Sequence, residues 1–154
     1  MLISDVIDKN RIEIIDRISN KNQLLEHLIA LANKSDSITD YESCRNDVFA
    51  RERVMSTGVG KGIALPHAKT QHVSKSTSSL VIIKEKIDFD SLDKQPINVA
   101  FLLLSKSSDI AWHLKMLSKI SRLLNNESYR SKITSSTNND EVFNYIKEFD
   151  ENSK

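Results

Sequence analysis

His67 follows a proline in the segment STGVGKGIALPHAKT, residues 56–70. The chain has three glycines and two prolines, and Gly58, Gly60, Gly62 and Pro66 all fall in this stretch. An imidazole changes charge near neutral pH and can serve as nucleophile, proton carrier or ligand. Glycines beside it allow close approach of another element or of a partner. Read as an extended segment, the alternation puts Gly58, Gly60, Gly62 and Ala64 on one face and Val59, Lys61, Ile63 and Leu65 on the other. Pro66 fixes its own φ and biases Leu65 to extended geometry. His67 is then expected where a strand ends. On the residues alone two readings stay open: a functional histidine, or a packing seam that ends at a surface histidine.

His113 is the second candidate. Asp109 is the expected N-cap of a helix, which places His113 in about its first turn, on a face with Leu117, Ile120 and Leu124. It can be a core histidine with locally satisfied ring nitrogens. Alternatively, the free N–H groups and positive dipole at the helix start favour an anion there and keep the imidazole neutral, able to donate one N–H to a phosphoryl oxygen. Arg51 shares a face of an earlier helix with Tyr41, Cys44 and Val48. As a cation in a last turn it also suits the helix dipole with no further role.

Other chemistries fail on spacing. A P-loop needs Gly-x4-Gly-Lys-Ser/Thr, but Met55 stands at the first glycine and Gly62 follows Lys61. The GxGxxG fingerprint started at Gly58 meets Ile63 where its last glycine belongs. A zinc site from His67, His72 and His113 lacks paired cysteines or HExxH, and no GxSxG supports a serine hydrolase. His27 and His72 have polar neighbours and are expected at the surface, and Cys44 is expected in the core.

These side chains need a scaffold, and 154 residues with 39% hydrophobic and 28% charged content suit one domain with a real core. With 22 basic and 21 acidic residues, net charge +1 and no basic run, neither nucleic acid nor an anionic membrane is attracted in bulk. A single cysteine excludes an internal disulfide and suits a reducing cytoplasm. Asp5 and Asp8 interrupt the apolar start, so no signal peptide is expected. INVAFLLL (97–104) falls far short of the ~20 residues of a membrane helix.

Ile12, Ile14 and Ile15 predict a short strand, and Asn20 with Gln23 a capped helix to about Asn33. Thr39 with Glu42 forms a capping box for the helix that carries Arg51. LVIIK (80–84) and INVAFLLL (97–104) read as central strands covered on both faces. The helix from Asp109 to about Leu124 has a stripe of Ile110, Leu114, Leu117 and Leu124. A short helix is expected at 129–133 and a last one at about 140–149. The expectation is one α/β domain over 1–150 with a polar tail at 151–154.

Arg51-Glu52, then Ser56 to His67 as STGVGKGIALPH, resembles the phosphorylation-site signature of the fructose/mannitol-type enzyme IIA domains of the bacterial phosphoenolpyruvate:sugar phosphotransferase system, including the nitrogen-regulatory relatives. SLDKQPINVAFLLL (91–104) resembles the family's Asp-x-x-Pro-Val strand, and HLKMLSKISRLL (113–124) its His-Leu-x-x-Leu-x-x-Leu helix. The resemblance implies an α/β sandwich with a mixed β-sheet flanked by helices. It implies that His67 accepts a phosphoryl group from the phosphohistidine of the carrier HPr and passes it to a cysteine of an enzyme IIB domain, with Arg51 and His113 nearby. It implies no cofactor, metal or nucleotide at this step, a cytoplasmic protein, and no nucleic-acid partner or membrane insertion. Lys61, where small polar residues are usual, and Lys106, near where relatives carry a proline, depart from the pattern. The chain carries no permease segment, so IIB and IIC are expected on other chains. A sugar-uptake phosphocarrier and a regulatory module whose phosphorylation state controls protein binding both fit; intact His67 and His113 speak against a degenerate domain.

Overall fold

A computed structural model describes residues 1–153. The strands are β1 (Ile12–Ile15), β2 (Gly58–Gly60), β3 (Ile63–Ala64), β4 (His67–Thr70), β5 (Thr77–Ile87) and β6 (Ile97–Lys106). The helices are α1 (Lys21–Ala32), α2 (Tyr41–Val54), α3 (Ile110–Asn125), α4 (Glu127–Thr134) and α5 (Asn139–Asn152). The sheet order is β1-β5-β6-β3-β2, with β4 also on β6. β5 runs antiparallel to β6, while β1 is parallel to β5, and β3 and β4 are parallel to β6. This is the expected mixed sheet of an α/β fold.

The two long apolar runs become the central strands because both of their faces are covered. On one face Leu80, Ile82, Val99, Phe101 and Leu103 join Met116, Ile120, Ile146 and Phe149 of the α3–α5 layer. On the other, Val81, Ile83, Ala100, Leu102 and Leu104 join Leu24, Leu28, Cys44 and Val48 of α1 and α2. The period-two alternation therefore sorts one continuous apolar run into two cores. Each large aliphatic side chain so covered contributes about 1.5–3 kcal/mol. Cys44 is buried, as expected. The start of the chain is tied down by buried Asp150, which accepts from the amides of Ile3 (2.9 Å) and Ser4 (3.0 Å). Among the described residues no helix is long and apolar enough to cross a membrane.

Two local expectations shift. Asp40, not Thr39, caps α2, accepting from Ser43 N at 3.1 Å. A carboxylate there satisfies a free amide and complements the dipole. Asp109 does cap α3, through Trp112 N. The stripe of α3 is rotated, however: His113, Met116, Ile120, Leu123 and Leu124 face the core, whereas Ile110 and Leu114 are 54% and 61% exposed. Apolar spacing alone does not say which side of a helix meets the sheet.

Candidate functional site

The glycine segment is a hairpin, not one extended run. β2 and β3 pair antiparallel, and Gly60, Lys61 and Gly62 between them have φ of 108°, 59° and 79°. Three successive left-handed residues reverse the chain, which breaks the alternation read from the sequence. Lys61 sits exposed in this turn and lines neither cleft at His67. Gly58 has a different reason. A Cβ there would lie 2.2 Å from Ser91 Oγ and 2.9 Å from Ser91 Cα, so it permits close packing of the 88–95 loop. The small residues thus serve internal packing and turning more than an open docking face.

After the hairpin the chain lies along β6 in one register, Ile63 opposite Val99 and His67 opposite Leu103. β3 and β4 are one strand path interrupted at Leu65-Pro66, because proline has no N–H for the ladder. His67 therefore begins a strand rather than ending one. Pro66 still takes part through its carbonyl, which accepts from Leu103 N at 3.0 Å.

A relay of contacts sets the ring of His67. Glu52, in the last turn of α2, is buried; its carboxylate accepts from Thr57 N at 2.7 Å and from the Thr57 hydroxyl, with Lys21 Nζ 3.5 Å away. That set of partners offsets the desolvation of the charge. Thr57 O in turn accepts from Leu65 N at 2.9 Å. Leu65 O lies 2.8 Å from His67 Nδ1. A carbonyl oxygen only accepts, so Nδ1 carries the proton, and the lone pair of the neutral ring is on Nε2. Nε2 has no hydrogen-bond partner among the described residues. Burial lowers the pKa of His67; the charges of Arg51 and Lys69 act the same way, while the Leu65 bond and Glu52 act against it. The ring is neutral at pH 7.

His113 lies beside it, with ring centroids 5.4 Å apart and planes at 53°. It is 2% exposed, and its Nδ1 is 2.6 Å from Ser105 Oγ. Burial, and then the charges of His67 and Lys69, take its pKa down to about 4. Arg51 donates from Nη1 to Met55 O at 2.9 Å, closing the end of α2. It therefore fills the helix-end role foreseen for it and also borders the site.

Two clefts of about 340 Å³ each meet at His67. Arg51, His67 and Leu117 line both. One is otherwise mostly apolar, with Met55, Val59, Leu65 and Leu92; the other holds Asp47, Lys69 and His113. Met55, Val59, Leu92 and Leu114 are 47–61% exposed, an apolar rim of the kind that marks protein contact. The arrangement offers a neutral nucleophile beside an arginine, a lysine and a second neutral imidazole, a setting suited to an anionic group in transfer.

So the three candidates from the sequence come together: His67, His113 and Arg51 border one cleft. The sequence reading missed the Leu65 carbonyl, the Glu52–Thr57 brace, Ser105 and Lys69. Of these, Lys69, two residues beyond His67 and so on the same side of an extended segment, left a signal in the sequence, as did Glu52, which stands in the signature without a role read from it. His27 pairs with Glu13, away from the site, and His72 is half-buried in the turn after β4. Among the described residues no three of His, Cys, Asp and Glu are grouped to hold a metal. Lys106, exposed at the end of β6, leads into the short turn before α3.

A family model described as "Phosphoenolpyruvate-dependent sugar phosphotransferase system, EIIA 2" matches residues 5–149. The chain is 36% identical over 135 residues to the fructose-specific EIIA component of Haloferax volcanii, covering 84% of this chain and 88% of that one. It is 28% identical over 150 residues to the fructose-specific EIIABC component of Bacillus subtilis, covering 97% of this chain but only 24% of that longer protein. Among solved structures, the nitrogen regulatory protein IIA-Ntr of Neisseria meningitidis superposes with a TM-score of 0.87 at 26% identity, covering 94% of this chain and 98% of that one.

Proposed function

The chain belongs to the EIIA 2 family of the phosphoenolpyruvate-dependent sugar phosphotransferase system, and within that family we propose that His67 is its phosphoryl carrier. Nε2 of His67 attacks the phosphorus of a phosphohistidine on HPr. The new P–N bond forms as the donor's P–N bond breaks, and the electron pair stays with the donor ring. The His67 ring gains positive charge in this step, and the Leu65 carbonyl, already bonded to Nδ1–H, stabilises it. Arg51 and His113 face the phosphoryl oxygens. Positioning and charge are the main means of such a transfer. The group then passes to a cysteine of an enzyme IIB domain. The name of the Bacillus subtilis relative, an EIIABC component, supports a IIB partner.

The observation that carries this reading is the Nδ1–Leu65 bond, which frees Nε2 of a neutral histidine at the meeting of two clefts. The test is a reconstituted assay with 32P-phosphoenolpyruvate, enzyme I and HPr. The wild-type chain is expected to take up label and His67→Ala to take up none. Equal labelling of the two would refute the assignment.

A second reading is favoured by the close superposition on a nitrogen regulatory protein. There the phosphorylation state of His67 governs binding to another protein, with no sugar moved. Adding candidate IIB proteins to the assay separates the two: label that moves on to a IIB cysteine favours uptake, and label that stays on His67 favours regulation.

A further inference from the structure

We infer that the Ser105 hydroxyl sets the tautomer of His113, donating its proton to Nδ1 so that the imidazole hydrogen sits on Nε2 and faces the cleft shared with His67. Ser105 is then a positioning residue that acts through His113. Its consequence for transfer rests on the function proposed above; the tautomer itself does not.

From Val99 onward the odd-numbered residues of β6 face the α3–α5 layer, and Val99, Phe101 and Leu103 are buried there among apolar groups. Ser105 continues that face, fully buried, and puts a hydroxyl where the three before it put hydrocarbon. His113 Nδ1, at 2.6 Å, is its one hydrogen-bond partner among the described residues. A hydroxyl has a single proton and a neutral imidazole a single N–H. If Nδ1–H donated to Oγ, the hydroxyl proton would be left in the core without an acceptor, which buried donors rarely tolerate. If Oγ–H donates to Nδ1, both groups are satisfied by one short bond. The ring proton must then be on Nε2.

Nε2 has somewhere to point. It makes no hydrogen bond among the described residues, and the sealed side-chain polar atoms without partners are only Thr77 Oγ1 and Ser91 Oγ. His113 also lines the cleft with His67 and Arg51. Burial keeps its ring uncharged, so the one hydrogen matters. With it on Nε2, His113 donates to an incoming phosphoryl oxygen. With it on Nδ1, the ring would set a lone pair against that oxygen and repel it.

The experiment is a long-range 1H–15N correlation spectrum of the 15N-labelled full chain at pH 7, with Ser105→Ala and Ser105→Thr in parallel. In the wild type, Nδ1 of His113 is expected at an unprotonated shift and Nε2 at a protonated one. Ser105→Ala is expected to move both toward averaged values as the tautomers mix, and Ser105→Thr to restore the wild-type pattern. A wild-type ring protonated at Nδ1 would overturn the inference, and so would Ser105→Ala with an unaltered tautomer. Should either variant fold poorly, the wild-type spectrum alone decides the tautomer. In the phosphotransfer assay Ser105→Ala is expected to slow labelling of His67 roughly five-fold, with the apparent KM for phospho-HPr unchanged, the loss of one oriented hydrogen bond. Mixed tautomers with an unslowed rate would overturn the positioning role. No labelling of the wild type would instead sink the proposed function and leave the spectrum standing.

Discussion

His67 is held by main chain and His113 by side chains, although their rings are 5.4 Å apart. The Leu65 carbonyl takes the Nδ1 proton of His67, and Leu65 itself is fixed through Thr57 to Glu52 of α2. His113 rests instead on a serine of β6, buried beneath the first turns of α3. The half-exposed ring thus has a rigid backbone behind it and an open nitrogen in front. The buried ring has its orientation set from below and reaches the cleft by one edge. A carrier that must meet two partners needs the first arrangement, and a group that only braces an anion is served by the second.

Breaking the backbone support is expected to have the largest effect on stability. Glu52→Ala leaves the Thr57 amide and Lys21 without their buried partner, and should destabilise the fold by roughly 3 kcal/mol. Urea titration of the variant measures this, and a loss under about 1 kcal/mol would show that the relay through Thr57 does not hold the segment. His113→Ala removes the second imidazole but not the nucleophile. Labelling of His67 should slow on the order of 10²-fold, the usual scale for one preorganised donor, while circular dichroism stays native. Loss of the fold would instead make His113 a purely structural core residue.

Acidification sharpens the comparison further. Both histidines have pKa values below the ordinary 6.5, His113 at about 4. Below 6.5 the unfolded chain binds protons that the folded chain refuses, so the stability these groups contribute is full above that pH and is lost as pH falls toward the folded values. Wild-type stability should therefore decline from about pH 6.5 to about pH 4, and less steeply in His113→Ala. Labelling should fall on the acid side with a midpoint below 6.5, since only neutral His67 attacks. A midpoint at or above 6.5 would contradict the burial argument. A smaller effect than that of His113→Ala is expected from Arg51→Ala, about ten-fold or less in labelling rate, because this partly exposed cation interacts through solvent. A loss as large as that of His113→Ala would give Arg51 the larger share of phosphate stabilisation.

Much of the fold was legible because it depends on patterns that local sequence carries. The apolar runs at 80–84 and 97–104 could only be central strands, and Asn20 and Asp109 mark helix starts by their own side chains. The hairpin was not legible. Gly-Val-Gly-Lys-Gly reads as alternation, and nothing in it announces that Lys61 joins two glycines at positive φ. The orientation of α3 was missed for a related reason: Ile110 and Leu114 are as apolar as core residues, but both are exposed, Leu114 at the rim of the cleft. Within the site, His67, His113 and Arg51 announced themselves by type and place. Their supports did not, because a carbonyl such as that of Leu65 has no sequence signal, and Ser105 gains its meaning only when α3 folds over β6.

The position of the phosphoryl bond tests the central claim most directly. The chain would be phosphorylated through enzyme I and HPr, and the phosphohistidine examined by 31P NMR with 15N-labelled imidazole. Attachment at Nε2 of His67, with Nδ1 still protonated against the Leu65 carbonyl, is the expected result. Attachment at Nδ1, or at any residue other than His67, would contradict the account.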